Sequence, residues 1–128
     1  MKTFSRLVIA ALFVGALATG AQAATLYTVP LKAAAGDCLV CGALTVVNSA
    51  AFDRVDITVQ KADGSGEIVG GYCTGAGTVG NYCEMIPSSC VDAQTGYCKI
   101  TVKYKTFVRG TLQVVNPAGE TVSTVPAQ

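Results

Sequence analysis

Six cysteines and no histidine set the chemistry open to this chain. Without an imidazole there is no Ser-His-Asp or Cys-His catalysis, no histidine metal site and no c-type haem attachment. Cys38-Leu39-Val40-Cys41 is a CxxC, but Cys73, Cys83, Cys90 and Cys98 form no second close pair of the kind a four-cysteine metal centre uses. A redox CxxC sits at a helix start, where the dipole lowers the thiol pKa. This one opens an apolar run with strand character. The even set Cys38, Cys41, Cys73, Cys83, Cys90 and Cys98 therefore reads as disulfides. The eight acidic residues are scattered over separate turns and strand faces, and their spacing nominates no glycosidase pair. Asp63-Gly64-Ser65-Gly66-Glu67 lacks the alternating ligands and distant glutamate of a calcium loop. Ser49, Ser88 and Ser89 have no histidine base, and no SxxK spacing occurs. The expectation is a protein with no catalytic, cofactor or metal residues: not an enzyme.

One constellation has directional character. Lys99, Lys103 and Lys105 share a face of one alternating run, and Arg109 is expected beside them on the following strand. Such a strip suits a phosphate, an anionic polysaccharide or the acidic face of a protein. The plainer reading is a solvated face whose lysines discourage edge-to-edge pairing. Tyr97 and Phe107 are the aromatic residues nearby. With a formal net charge of +1, no nucleic-acid partner is expected.

The elements that must position these residues follow a leader. Lys2 and Arg6 precede an unbroken apolar stretch at 7–17, and Ala21-Gln22-Ala23 fits the small-x-small cleavage pattern. Residues 1–23 read as a signal peptide, too short in its apolar core for a membrane span. The mature chain, 24–128, loses two cations, becomes nearly neutral and carries no further long apolar stretch. Export to the periplasm or the extracellular space is expected, and it is what makes disulfides the natural reading of the cysteines.

Strand signals dominate the mature chain. Residues 38–48 are almost continuously apolar. Val55, Ile57 and Val59 alternate with polar neighbours, and so do Cys98, Ile100 and Val102, giving the period of two of strands with one buried face. Residues 62–66 read as a turn returning into a partner strand at 67–69. Further strands are expected at 27–31, 107–115 and 121–125. The Gly-, Ser- and Thr-rich segment 70–96 reads as a long stapled connection with one short strand. About seven short strands and no helix point to an all-β, immunoglobulin-like antiparallel sandwich forming a single domain, with a barrel as the alternative.

Several stretches resemble a group of small exported bacterial β-sandwich proteins of uncharacterised function. They are the leader, the cysteine-bearing strand ending in Val46-Val47-Asn48, and Arg54-Val55-Asp56-Ile57-Thr58-Val59-Gln60. They continue with Gly96-Tyr97-Cys98-Lys99-Ile100-Thr101-Val102 and Val108-Arg109-Gly110-Thr111-Leu112. The resemblance implies a cysteine-containing sandwich and no catalytic residue; the loop holding Cys83 and Cys90 has no counterpart in it.

Geometry limits the disulfides. Along an extended strand Cys38 and Cys41 stand roughly 10 Å apart on opposite faces, beyond the reach of a bridge. Cys83 and Cys90 flank a proline-containing segment and are the expected local pair. That leaves Cys38–Cys73 with Cys41–Cys98, or the exchanged arrangement, with Cys98 pointing into the core. The functions left open are an exported binding or accessory module, with a protein or anionic polysaccharide at the cell surface as partner, or a structural subunit of a surface fibre or coat.

Overall fold

In the computed structural model, residues 23–48, 54–75, 77–103 and 108–128 are described. Residues 1–22 of the leader, Lys105 and Phe107 lie outside them. The described residues form strands β1 (Ala24–Tyr27), β2 (Leu31–Ala33), β3 (Cys38–Thr45), β4 (Arg54–Lys61), β5 (Glu67–Thr74), β6 (Tyr82–Met85), β7 (Gln94–Val102), β8 (Val108–Val115) and β9 (Thr121–Pro126), with no helix among them. All pairings are antiparallel. One sheet runs β1-β7-β4-β5, with β2 continuing the β1 edge along β7; the other runs β6-β3-β8-β9.

The alternation read in the sequence decides which side chains meet. Val55, Ile57 and Val59 of β4 and Cys98, Ile100 and Val102 of β7 turn inward from one sheet, against Leu39, Cys41 and Ala43 of β3 and Val108, Leu112 and Val114 of β8 from the other. Burying a side chain such as Ile57, Ile100 or Leu112 stabilises by about 1.5–3 kcal/mol, and all three are 0% exposed. The outward residues of β4 and β7 are mostly polar, which leaves that face to water. β3 breaks the rule: Val40 is also buried, and Tyr82 of β6 lies over Gly42, so a central strand covered on both faces reads as a continuous apolar run.

The sheets meet by hydrogen bonds at one corner. Thr28, just beyond β1, bridges Ala127, and the backbones of Tyr27 and Gln128 exchange bonds of 3.0 and 2.9 Å. At the opposite seam β5 and β6 are joined by Cys73–Cys83. The architecture is thus a two-sheet sandwich with one laced corner, between the two forms expected.

Three local corrections follow. The first strand is not a single segment at 27–31: it divides into β1 and β2, because Pro30 offers no N–H to a ladder. The return strand does not stop at Val69 but runs to Thr74. Gly70 and Gly71 continue the ladder opposite Thr58 and Ile57, with the side chains of Glu67 and Met85 lying close over them. The 70–96 connection consequently contains the end of β5, all of β6 and the start of β7.

The break at Thr28 is compensated locally. Its N–H donates to the Cys98 carbonyl at 3.1 Å, and its hydroxyl accepts from the Cys98 N–H at 2.9 Å in a buried setting. Thr28→Val keeps the shape and orphans that donor. It is expected to destabilise the fold by about 1–3 kcal/mol, measured by chemical denaturation, with Thr28→Ser recovering most of the loss.

The cysteines pair as Cys38–Cys90, Cys41–Cys98 and Cys73–Cys83, with Cα separations of 5.1, 5.6 and 6.2 Å. Cys38 and Cys41 do not join each other, as strand parity requires, and of the two partners left open for Cys98 it is Cys41 that links β3 to β7 across the core. The local pair Cys83–Cys90 is incorrect. Cys83 sits inward on β6 beside the β5 seam, whereas the chain after it crosses to the start of β3, where the Cys90 carbonyl accepts from the Gly36 N–H at 2.8 Å. Cys38 therefore takes Cys90 and Cys73 takes Cys83.

Candidate binding face

The outer face of the β1-β7-β4-β5 sheet gathers the polar and aromatic residues that could meet a ligand. With Cys98, Ile100 and Val102 directed inward, the strand pleat turns Thr95, Tyr97, Lys99 and Thr101 outward along β7. Lys103 follows directly beyond the strand and is exposed. On one side Tyr27 stands opposite Lys99 and Lys32 opposite Thr95. On the other, Thr58 stands opposite Lys99 and Gln60 opposite Tyr97. The rings of Tyr27 and Tyr97 are 6.2 Å apart and inclined at 50°.

The far side of the face is electrically self-contained. Arg54 of β4 holds Asp56 through bonds of 2.6, 3.1 and 3.2 Å, and its guanidinium lies 4.1 Å from the centre of the Tyr72 ring on β5. Both members of the pair are well exposed, so its contribution to stability is at most about 1 kcal/mol. Its consequence is local neutrality: Asp56 is answered by its own neighbour.

Of the four cations singled out in the sequence, the structure brings Lys99 and Lys103 into one lane. Arg109 is a correction. It lies on β8 in the opposite sheet, in register with Leu44, and its Nη1 donates to the Val108 carbonyl at 3.3 Å. β7 and β8 belong to different sheets, so these two consecutive strands do not pair as a hairpin. Tyr27, Lys32 and Tyr72 were not legible as partners of the lysine row, because only the β1, β2 and β5 registers place them there.

Elsewhere the surface offers less. An open cleft of about 660 Å³ is walled by Lys61, Asp63, Asp92, Gln94 and Thr95. Its Asp63 carboxyl is held below the usual carboxylate range by hydrogen bonding to Ser65, whose side chain contributes most and whose N–H donates at 2.8 Å. That is a turn satisfying itself. A smaller groove of about 270 Å³ crosses the outside of the other sheet beside Val40, Ile86 and Val115. Nearby, burial pushes the Tyr82 hydroxyl above its ordinary pKa, with Glu84 adding to the effect. Among the described residues no group of three or more cysteine or acidic side chains could hold a metal ion, and the cysteines are all disulfide-bonded.

Comparison of the chain with protein-family models, curated proteins and solved structures finds no match.

Proposed function

We propose that this protein is an exported, non-enzymatic binding module whose recognition surface is the outer face of the β1-β7-β4-β5 sheet. The observation that carries the reading is the meeting of Tyr27, Tyr97 and Lys99 on that face, an exposed ring and a half-buried one beside a cation on a rigid strand scaffold. Sites built on strands hold their geometry better than sites on loops. Export is supported by three disulfides, which persist in oxidising compartments, and removal of residues 1–23 by the Ala21-Gln22-Ala23 pattern.

An immunoglobulin-like class is part of the proposal. A buried disulfide joining two antiparallel sheets is a hallmark of that class, and β3-β6 and β5-β4-β7 pair as its B-E and C′-C-F strands do. The ends differ: β1 and β2 flank β7 where the class places its last strand, and β8 flanks β3 where the class places its first. A fibre or coat subunit is the second reading, favoured by the exposed Leu44, Tyr82 and Ile86 on the opposite face. Strand sharing through β1 draws no support, since β1 is paired with β7 of its own chain.

Two measurements on the exported product test this. Its intact mass is expected to begin at Ala24 and to be six hydrogens lighter than the reduced chain. Light scattering after gel filtration is expected to give a concentration-independent monomer. Material still beginning at Met1 overturns export; filaments or ladders favour the subunit.

A further inference from the structure

Resting on the binding face proposed above, we infer that its ligand is a linear acidic polysaccharide running along β7. The cations on this lane are spaced for a polymer. Lys32 is aligned with position 95 of β7, Lys99 stands four residues further on, and Lys103 four beyond that. At the strand rise those intervals are about 13 Å each, so the lane spans roughly 26 Å. A phosphate or other small anion meets one lysine at a time; a chain with repeating carboxylates or sulfates meets all three.

The rings specify sugar. Tyr97 lies between the first and second lysine positions on β7, and Tyr27 stands across from the second. The C–H-rich face of a pyranose packs on such rings, while the hydroxyls of Thr58 and Thr101 and the Gln60 amide sit alongside for its polar edge. Of the nearby acids, Asp56 is neutralised by Arg54, Glu67 stands beyond Gln60 at the far end of β4, and Asp63 and Asp92 line the cleft that also takes in Thr95, beside the first lysine position. Nucleic acid fits less well. It needs a denser cationic track than three widely spaced lysines, and the whole chain carries a formal charge of only +1.

Mature wild-type protein is to be run in affinity electrophoresis against a polyuronate, a sulfated glycan, a neutral β-glucan and single-stranded DNA. Three variants accompany it: Lys32→Gln/Lys99→Gln/Lys103→Gln, Tyr27→Ala/Tyr97→Ala, and Arg109→Gln on the opposite sheet. The expected result is salt-sensitive retention by the polyuronate or the sulfated glycan, weakened at least about tenfold in the lysine and tyrosine variants and unchanged in Arg109→Gln. Melting temperatures verify that each variant is folded, and the lysine variant, altered only on the surface, serves alone should the tyrosine variant not fold. Retention by the neutral glucan, lost with the tyrosines but not the lysines, keeps the binding face and overturns the acidic ligand. Stronger retention by DNA also overturns it. No retention by any polymer overturns this inference alone; retention indifferent to the face variants overturns the reading it rests on as well.

Discussion

Replacing Cys41 and Cys98 together by alanine is expected to remove about 3 kcal/mol of stability through loop closure alone, because with Cys38–Cys90 intact the bridge closes a path of only about 11 residues. The loss comes with a second term. Both sulfurs are fully buried between β3 and β7, so their removal also leaves a void that neighbouring side chains fill only in part. For a domain of this size each kcal/mol corresponds to roughly 4–8 °C, and the double variant should melt about 20 °C or more below wild type. The comparison that makes the result diagnostic is Cys73→Ala/Cys83→Ala. That bridge spans 10 residues at the β5-β6 seam, and the same relation gives about 3 kcal/mol. Calorimetry on both proteins decides the matter. The two loops are then of nearly equal length, and an equal loss at the two sites would mean that core burial adds nothing to the contribution of the central bridge.

The inward face of β7 made one end of the central bridge legible, Cys98, and left its partner open between Cys38 and Cys41. Cys98 shares its parity with Ile100 and Val102, and a period of two fixes which side chains go inside however the strands are later arranged. The same reasoning separated Cys38 from Cys41. It failed for Cys90, which lies in the crossing between β6 and β7, because a loop has no parity to read and only the path of the chain brings it to Cys38. Arg109 failed for a related reason: alternation assigns a face within a strand but does not say which sheet the strand joins. The lysine row on β7 was therefore visible in the sequence. Its companions across the ladder, Tyr27 and Lys32, depend on an edge interrupted at Pro30, and no local pattern records that register. Glycine carried a further misleading signal. Gly70 and Gly71 resemble loop residues, yet each makes room within β5 for a neighbouring side chain.

The placement of function and stability on different residues of the same strand follows from this arrangement. On β7 the inward Cys98, Ile100 and Val102 are each at most 2% exposed, and the outward Tyr97, Lys99 and Thr101 contribute little to the core. Substitutions on the outward row should leave the fold intact, which is why the binding test can use them. Substitutions on the inward row should act on stability, and the closest fit there is across the sheets.

Gly110→Ala is the second large effect expected. Gly110 faces inward from β8, and a Cβ placed on it would press into the Ile100 side chain from β7 and lie 2.9 Å from the Ala127 Cβ. Added volume of this kind in a tight core costs about 1–3 kcal/mol, more than the few tenths to 1 kcal/mol that Gly→Ala returns by restricting the unfolded chain. Ile100→Val removes the methyl group nearest that position and alone costs about 0.5–1.5 kcal/mol. The two changes should not add. In the double variant the new methyl fills the space the old one leaves, so a double-mutant cycle should give a favourable coupling of at least about 1 kcal/mol. Additivity within about 0.5 kcal/mol would mean that the two residues do not share the site. The single Gly110→Ala variant carries a second signature, because the Ala127 N–H donates to the Gly110 carbonyl at 2.8 Å and Ala127 also bridges Thr28 at the laced corner. Displacing Ala127 should open that corner first. Amide exchange at Ala127 and Gln128 should then accelerate more than at Ile57, and Ile100→Val should restore their protection.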